Sequence, residues 1–383
     1  MAERVAIAYD CLYPVNTGGG ERVYRRMAEL FAESDCAVSY VTRRQWDDGA
    51  EPDAGFDVVP VWNGEIYDEH GTRTMGSAVG FAMALFRYFR RHRGEHDIVI
   101  VSALPVLNVF AVRLALLGTR AVIVTDWLEV WSWRKWRSYS GVSVGTIASV
   151  LQWFGLRMGR LQTVNSSFTR ERVRRYRPSA DPIVLGLVDL VGEAADADAT
   201  RVGTPLALFV GRHIADKRLD ALPAAIAVAR ESVPDLTAQI VGTGPETAAV
   251  RARVHELGLD DVVQFLGRVD DDALDRAFRS ASVLVNPSAR EGFGLVIAEA
   301  ASVATPSVVV AGEDNAAAEL VHDGVNGFVA SSVEPGVLGA AIVRAVGGGA
   351  ALRASTLSWF ERERAEHGLA ASVATILERV RRG

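Results

Sequence analysis

Two glutamates, Glu291 and Glu299, bracket a glycine-containing turn in the C-terminal half of the chain. An apolar run at 282–286 predicts a buried strand before the turn, and the small residues of 295–303 predict a helix after it. The sequence Gly-Phe-Gly at 292–294 permits a sharp turn between them. If most of the interval is helical, the two carboxylates lie about 10–12 Å apart along the axis. Each carboxylate accepts hydrogen bonds, so the stretch offers two acceptors for hydroxyl groups.

The backbone around Phe293–Leu295 adds a different kind of group between these carboxylates. The first amides of a helix have no partner within it, so they form a ready anion site. The order of these groups, a carboxylate, an anion site and a second carboxylate, matches the order of the parts of a nucleotide-sugar, which are the sugar, the pyrophosphate and the ribose. The alternative is a pair of solvated carboxylates or a charge at a helix N-terminus. The preceding strand, the turn and the following Thr305-Pro306 favour ligand binding.

Basic residues follow a second predicted strand, 206–210. Gly211-Arg212 comes directly after it, and Lys217 precedes a helix that we expect to run to about Ser232. An arginine can hold a pyrophosphate bidentately, and a lysine can hold it as a point charge. Surface basic pairs are ordinarily solvated, but together with the two glutamates this pair favours phosphate binding.

The stretch 286–306 resembles the E-x7-E signature of the retaining glycosyltransferases of family 4, which have two Rossmann-like domains (the GT-B fold). The resemblance implies that Glu291 meets hydroxyls of the donor sugar and that Glu299 holds the ribose. It also implies that Arg212 and Lys217 stabilise the leaving pyrophosphate and that the loop after strand 263–269 borders the base. Arg212, Lys217 and Glu291 are therefore the expected catalytic residues. The expected donor-binding residues are Gly18, Gly19, Gly20, Gly211, Arg268, Gly292, Phe293, Gly294, Leu295 and Glu299.

The first half of the chain alternates predicted strands with helical stretches. Val5–Tyr9 is a strand, and Gly18–Gly20 opens a helix over 21–32. This order predicts a doubly wound α/β domain with a parallel sheet, in which ligands bind beyond the carboxyl ends of the strands. The glycines are not a G-x-G-x-x-G motif, so dinucleotide binding is weakly indicated. In the family a similar loop faces the donor phosphates or the acceptor; a simple flexible loop is the alternative.

The predicted fold class is thus α/β, with two Rossmann-like doubly wound domains facing across a cleft. We expect an acceptor-binding domain over 1–190 and a nucleotide-sugar-binding domain over 205–360. The Ala/Asp-rich segment 191–204 between them is the expected linker. The terminal segment 361–383 is expected to be a helix that packs back on the first domain. Ala304 stands where the family usually has glycine, which is tolerable if its φ stays negative.

A tryptophan-rich stretch, 126–139, follows the strand predicted at 121–125. Its four tryptophans and three cations suit sugar stacking or a membrane interface; alternatively, Trp127 and Trp131 belong to the core. Many family members carry a histidine on a strand-end loop of this domain, and this loop has none. The candidate acceptor-side residues here are instead Asp126, Trp127 and Glu129.

Composition and charge limit the classes of function. The 383 residues are 49% hydrophobic, and only Cys11 and Cys36 are cysteines, which excludes a disulfide framework and a cysteine-based metal cluster. Residues 1–185 carry 23 Lys+Arg and 20 Asp+Glu, net +3; the remainder carries 18 and 27, net −9. Without basic–aromatic motifs, nucleic-acid binding is not expected. We expect a cytoplasmic protein, with peripheral attraction of its basic segments 87–93 and 131–137 to the inner membrane face.

The expected reaction is metal-independent, front-face transfer of a hexose from a nucleoside-diphosphate sugar, UDP- or GDP-linked, to a hydroxyl acceptor. No further cofactor is expected, and the acceptor is a lipid-linked sugar, a natural product or a small polyol. A nucleotide-sugar epimerase or a phosphorylase of the same fold is a rival, as is a non-catalytic sugar-nucleotide sensor. Hydrolysis of a panel of UDP-, GDP-, ADP- and TDP-sugars would separate them.

Overall fold

The computed structural model describes residues 2–16, 18–47, 52–66, 74–191, 199–200 and 203–382. Most of the predicted linker therefore lies outside the described residues. The chain forms two compact units: residues 1–190 with 368–383, and residues 191–367. Each unit contains its own parallel sheet, as expected for the fold class.

The first unit is built on a seven-stranded sheet in the order β3-β2-β1-β4-β5-β6-β7, with every neighbouring pair parallel. Its central strand β4 has the sequence Ile-Val-Ile-Val-Ser and is buried along its whole length. Such a continuous apolar run is typical of a parallel strand covered by helices on both faces. The strands are β1 (Arg4–Ala8), β2 (Ala37–Arg43), β3 (Asp57–Trp62), β4 (Ile98–Ser102), β5 (Val122–Trp127), β6 (Leu161–Val164) and β7 (Ile183–Val184).

Helices connect most of these strands, and the C-terminal helix completes the unit. They are α1 (Gly19–Glu33), α2 (Met75–Arg91), α3 (Leu107–Ala115), α4 (Trp133–Ser140), α5 (Val142–Gly155), α6 (Ser167–Tyr176) and, at the end of the chain, α13 (Leu369–Arg381). Helix α13 is held by Asp189 Oδ2, which accepts from Leu369 N at 2.8 Å, and by Ser372 Oγ, which accepts from Gly186 N at 3.0 Å.

The second unit has a six-stranded parallel sheet in the order β10-β9-β8-β11-β13-β15, and a short two-stranded parallel ladder, β12–β14. The strands are β8 (Leu206–Val210), β9 (Thr237–Val241), β10 (Val263–Gly267), β11 (Val283–Asn286), β12 (Arg290–Glu291), β13 (Ser307–Val310), β14 (Asp314–Asn315) and β15 (Gly327–Ala330). The helices are α7 (Leu222–Ser232), α8 (Thr247–Glu256), α9 (Asp271–Ser280), α10 (Leu295–Ser302), α11 (Pro335–Gly347) and α12 (Gly349–Glu366).

Two local expectations are wrong. The C-terminal segment forms two helices rather than one, because the helix is interrupted at His367-Gly368. Residues 361–366 are the last residues of α12. Ala304 adopts φ +65°, not a negative value. It ends α10 in the left-handed conformation that usually takes glycine, and the amide of Thr305 closes the turn on Ala300 O at 2.8 Å.

Among the described residues, no single helix combines the length and the apolarity needed to cross a bilayer. The sharply bent pair Pro335–Gly347 and Gly349–Arg381 meets both criteria only when its two parts are taken together.

A buried acid lies at the carboxyl end of β5. Asp126 is fully buried, and it accepts hydrogen bonds from the hydroxyls of Tyr24 and Thr163, each at 2.5 Å. Burial raises the pKa of Asp126 from 3.8 to about 6, while the two hydroxyl donors favour the carboxylate and oppose that rise. The Tyr24 ring stacks on Tyr9 with centroids 4.2 Å apart.

This raised pKa predicts a specific dependence of stability on pH. Between pH 4 and 6 the unfolded chain loses the Asp126 proton while the folded chain retains it, so the free energy of unfolding falls as pH rises. The loss amounts to about 3 kcal/mol at about 1.4 kcal/mol per pKa unit. Asp126→Asn replaces the titrating carboxyl with an amide that does not titrate. The free energy of unfolding of wild type minus that of the variant should therefore fall by this amount as pH rises, and level off above pH 6.

Urea unfolding followed by tryptophan fluorescence measures the difference, since seven of the eight tryptophans lie in the first unit. Asp97→Asn is the matched control. The hydrogen bond from Arg4 lowers the pKa of Asp97 below 3.8, so its stabilisation is lost only as pH falls below that value. The difference between wild type and Asp97→Asn should therefore not fall as pH rises from 4 to 6. A stability difference between wild type and Asp126→Asn that stays constant from pH 4 to 7 contradicts the prediction.

Candidate functional site

Several predicted donor-site residues of the second unit lie at one edge of its sheet. Arg212 follows β8, Arg268 follows β10, and Glu291 lies in the segment after β11. These strands are parallel, so their carboxyl ends meet at the same edge. In open α/β sheets that edge is where ligands bind.

The loops after β8 and β9 are locked together by backbone contacts. The amide of Gly211 donates to Val241 O at 3.1 Å, and the amide of His213 donates to Thr243 O at 3.1 Å. Gly242 has φ +116°, and a Cβ on it would lie 1.9 Å from Gly211 O. Only glycine fits there, so this close approach fixes the backbone that carries Arg212.

The His213 side chain also connects the loops after β8 and β9. It is fully buried, and its Nδ1 lies 2.8 Å from Thr247 Oγ1, which donates to Gly244 O. With the hydroxyl proton on Gly244, the ring nitrogen is the donor to Thr247. Burial lowers the pKa of His213, so the ring is neutral and structural. The sequence analysis assigned His213 no role, because its contact with the turn at 242–244, about 30 residues later, forms only in the folded chain.

The segment carrying Lys217 differs from the predicted strand-to-helix connection. Two short 3-10 turns, Ala215–Lys217 and Leu219–Ala221, precede α7, and Arg218 between them has φ +48°. The carbonyl of Asp216 accepts from Ala289 N at 2.9 Å, and its carboxylate pairs with Arg290 at 3.3 Å. The Lys217 loop is thereby tied to the loop that contains Glu291.

Lys217 and Glu291 form an ion pair, Nζ to Oε2. Their side chains are 21% and 17% exposed, so the pair is largely shielded yet open to a ligand. The sequence predicted both residues in the donor site but not the contact between them. The structure therefore brings a candidate phosphate-binding cation and a candidate sugar-binding carboxylate to one point.

The turn before α10 requires glycine. Gly294 has φ +92°, and a Cβ on it would lie 2.6 Å from the Ala317 Cβ. Gly294 is also the N-cap of α10 and provides no side-chain acceptor. The amides of Leu295 and Val296 consequently start the helix without an intrahelical partner. Because the helix begins only at Leu295, the spacing estimated for a mainly helical interval does not apply.

The remaining predicted residues of this unit have different environments. Arg212 and Arg268 are exposed, and neither side chain makes a hydrogen bond or an ion pair to another described residue. Glu299 is half-buried on α10, as are Gly292 and Phe293 in the turn. Within the described ranges, no three His, Cys, Asp or Glu side chains come together as a metal-binding group.

In the first unit, Gly18 is the N-cap of α1, and Gly19 and Gly20 are the first two residues of the helix rather than a loop before it. A Cβ on Gly20 would lie 2.9 Å from the Tyr9 hydroxyl, so Gly20 packs against the Tyr9–Tyr24 stack. Through Tyr24 this stack rests on Asp126. Asp126 therefore supports the glycines at the start of α1 through Tyr24 and Tyr9.

The candidate acceptor-side residues need correction. Asp126 and Trp127 are 0% and 1% exposed, so neither side chain presents a surface to an acceptor. They are buried because β5 continues to Trp127, two residues beyond the predicted strand. Glu129 is half-buried and accepts from Trp131 Nε1 at 2.6 Å. The alternative that Trp127 and Trp131 belong to the core agrees with their burial.

Comparison with known proteins identifies the family. The Glycosyltransferase Family 4 model matches residues 17–185, and the Glycosyl transferases group 1 model matches residues 193–351. D-inositol 3-phosphate glycosyltransferase of Streptomyces griseus is 33% identical over 51% of this chain. The match covers 45% of that relative, so the chain spans less than half of its length. A GDP-mannose-dependent alpha-(1-6)-phosphatidylinositol monomannoside mannosyltransferase of Mycolicibacterium smegmatis is 29% identical, covering 72% of this chain and 76% of the relative.

Solved structures match the whole chain at low sequence identity and so bear on the fold. Sucrose-phosphate synthase from Thermosynechococcus elongatus aligns with a TM-score of 0.77 and 19% identity, covering 99% of this chain and 98% of that one. Anabaena HepE in complex with UDP-glucose aligns with a TM-score of 0.70 and 17% identity, covering 99% and 100%. The two α/β units with parallel sheets have the GT-B fold, and the chain belongs to glycosyltransferase family 4.

Proposed function

We propose that the protein is a retaining glycosyltransferase that moves a hexose from a nucleoside-diphosphate sugar to a hydroxyl acceptor, without a metal ion. The observation that carries this proposal is the Lys217–Glu291 pair at the carboxyl edge of the second unit's sheet. Lys217 is the group for the pyrophosphate, and Glu291 is the group for the sugar hydroxyls. The two hold each other until the donor provides a partner for each.

The exposed Arg212 and the amides that open α10 add to the phosphate site. Arg212 has no carboxylate partner among the described residues, so its charge is available to an anion. The α10 amides point their N–H groups out of the helix N-terminus, where phosphate oxygens are favoured. Glu299 follows on α10 as the group for the ribose hydroxyls.

These groups act by stabilising charge. As the bond from the sugar to the β-phosphate oxygen breaks, negative charge grows on that oxygen, and Arg212 and Lys217 stabilise it. In front-face transfer the same oxygen takes the proton of the acceptor hydroxyl as the new glycosidic bond forms. The chain then needs no carboxylate nucleophile and no separate general base.

The donor and acceptor classes rest on the relatives. HepE was solved with UDP-glucose, and the mycobacterial relative is GDP-mannose-dependent, so we propose a UDP- or GDP-linked hexose. The relatives named for inositol phosphate and phosphatidylinositol mannoside acceptors favour a polyol or a lipid-linked sugar. We place the reaction in the cytoplasm, in keeping with two buried cysteines that form no disulfide.

Removing either cation should lower turnover more than donor affinity. Arg212→Ala and Lys217→Ala should each reduce kcat by roughly 100-fold, because they stabilise charge that develops in the transition state. Steady-state kinetics with the donor chosen by a sugar-nucleotide hydrolysis panel gives the split between kcat and KM. Arg362→Ala, an exposed arginine on α12, is the control and should behave as wild type. Near-normal kcat at saturating donor in both variants would show that this role is wrong.

The two glutamates should separate sugar from nucleotide. Glu299→Ala should weaken binding of the free nucleoside diphosphate by about 1.5–3 kcal/mol through lost ribose hydrogen bonds. Glu291→Gln should leave that affinity nearly unchanged while reducing transfer in a way that depends on the sugar. Calorimetric titration of UDP and GDP into each variant tests both statements. Equal nucleotide affinity in Glu299→Ala and wild type would refute the ribose assignment.

A further inference from the structure

Helix α5 of the first unit turns its large apolar side chains to the solvent. The residues it buries are Gly145, Gln152 and Gly155. A helix of a soluble domain normally buries its apolar stripe and exposes its small and polar residues. This one does the reverse. Its exposed large apolar side chains, with their exposed fractions, are Val142 (62%), Val144 (45%), Ile147 (61%), Val150 (50%), Trp153 (41%) and Phe154 (48%).

Polar and glycine contacts hold α5 in this orientation. Gln152 Oε1 accepts from Trp131 N and from Trp136 Nε1, each at 3.0 Å, and its Nε2 donates to Trp131 O at 2.7 Å. Gly145 lies so close to Trp136 that a Cβ would be 2.4 Å from the Trp136 carbonyl oxygen. The fold therefore does not need the outward apolar side chains, and burial within the unit does not explain them.

A cavity of about 580 Å³ begins where α5 ends, and four arginines line it: Arg113, Arg120, Arg157 and Arg160. None of them pairs with a carboxylate within the described part of the chain. The Arg157 guanidinium lies over the Trp153 ring, 3.7 Å from its centroid, which joins the cavity to the apolar face. Between residues 87 and 177 the chain has 16 Lys+Arg and five Asp+Glu, so this part of the unit is strongly basic.

We propose that the apolar face of α5 and the four-arginine cavity together dock the protein on an anionic lipid bilayer. The 14 residues of α5 span about 21 Å, too short to cross a hydrocarbon core of about 30 Å, so the helix lies in the interface plane. Its apolar side chains enter the boundary between headgroups and acyl chains, with Trp153 at the headgroup level. Arg113, Arg120 and Arg160 bind lipid phosphates. Arg157 instead joins the cavity to α5, because its guanidinium donates to Trp153 O and to Tyr176 O at 2.7 Å each. This docking surface is independent of the sugar-transfer proposal.

The proposed docking surface uses residues other than those predicted from the sequence to contact a membrane. Within 131–137, Trp131 is buried and Trp136 is bonded to Gln152, so that stretch supports α5 rather than facing a membrane alone. Trp133 remains exposed, with the guanidinium groups of Arg134 and Arg137 over its ring. Arg93, the last residue of the Arg-rich segment 87–93, donates to Leu117 O. Leu117 lies between the cavity residues Arg113 and Arg120 in the sequence.

Flotation of the full chain with vesicles tests the proposal. Wild type should bind phosphatidylcholine vesicles containing phosphatidylglycerol, and should bind pure phosphatidylcholine at least tenfold more weakly. Ile147→Ser with Val150→Ser should reduce binding to the anionic vesicles at least tenfold, since the inserted apolar area is lost. Arg113→Gln and Arg160→Gln should each reduce it about fivefold, and added salt should produce a similar loss.

Val337→Ser and Arg362→Gln, an exposed valine and an exposed arginine of the second unit, are the matched controls and should bind as wild type. Unchanged thermal midpoints and unchanged nucleotide titrations show that the variants fold and that the donor site is intact. The proposal is overturned if wild type does not bind anionic vesicles, if it binds neutral vesicles equally, or if the Ile147/Val150 variant binds like wild type. A wild-type dimer that this variant dissociates, without vesicle binding, would assign the face to a second copy of the chain.

Discussion

The ion pair between Lys217 and Glu291 is the contact around which the second unit's candidate site is arranged. It joins the loop after β8 to the loop after β11, and the hydrogen bond from Ala289 N to Asp216 O and the Asp216–Arg290 pair reinforce that link. A shielded pair of opposite charges is stable only while each charge has a partner. A ligand that offers an anion to Lys217 and hydroxyls to Glu291 can replace both partners together, whereas a bare nucleotide satisfies only one.

The surrounding fold holds this pair at a fixed place through close backbone packing. Gly242 and Gly244 lie against the loop of Gly211 and His213, where any side chain would collide with a carbonyl. On the other side, Gly294 turns the chain into α10. Asn315 ties the loop after β11 to the end of β13 by donating to Ser288 O and Val310 O. Rigid loops of this kind place charges before the ligand arrives, which is what charge stabilisation in a transition state requires.

The sequence was sufficient for the fold class and for most strands, because continuous apolar runs and strand-end glycines are local signals. Strand β8 and helix α10, for example, lie within a residue of their predicted bounds. The contact between Lys217 and Glu291 was not predictable, because it depends on how two loops 74 residues apart meet. The left-handed Ala304 and the buried Asp126 were missed for a related reason: tertiary packing set the backbone angle of one and the strand length around the other.

Crystal structures with UDP-hexose and GDP-hexose donors test the central claim most directly. With the donor that binds, Lys217 Nζ should lie within hydrogen-bonding distance of a β-phosphate oxygen, about 2.7–2.9 Å for a charge-assisted bond. Glu291 should then have left Lys217 for a sugar hydroxyl, with the α10 amides on the pyrophosphate. A donor bound elsewhere, or a bound donor with the Lys217–Glu291 pair unbroken, would contradict the assignment of this edge as the sugar-nucleotide site.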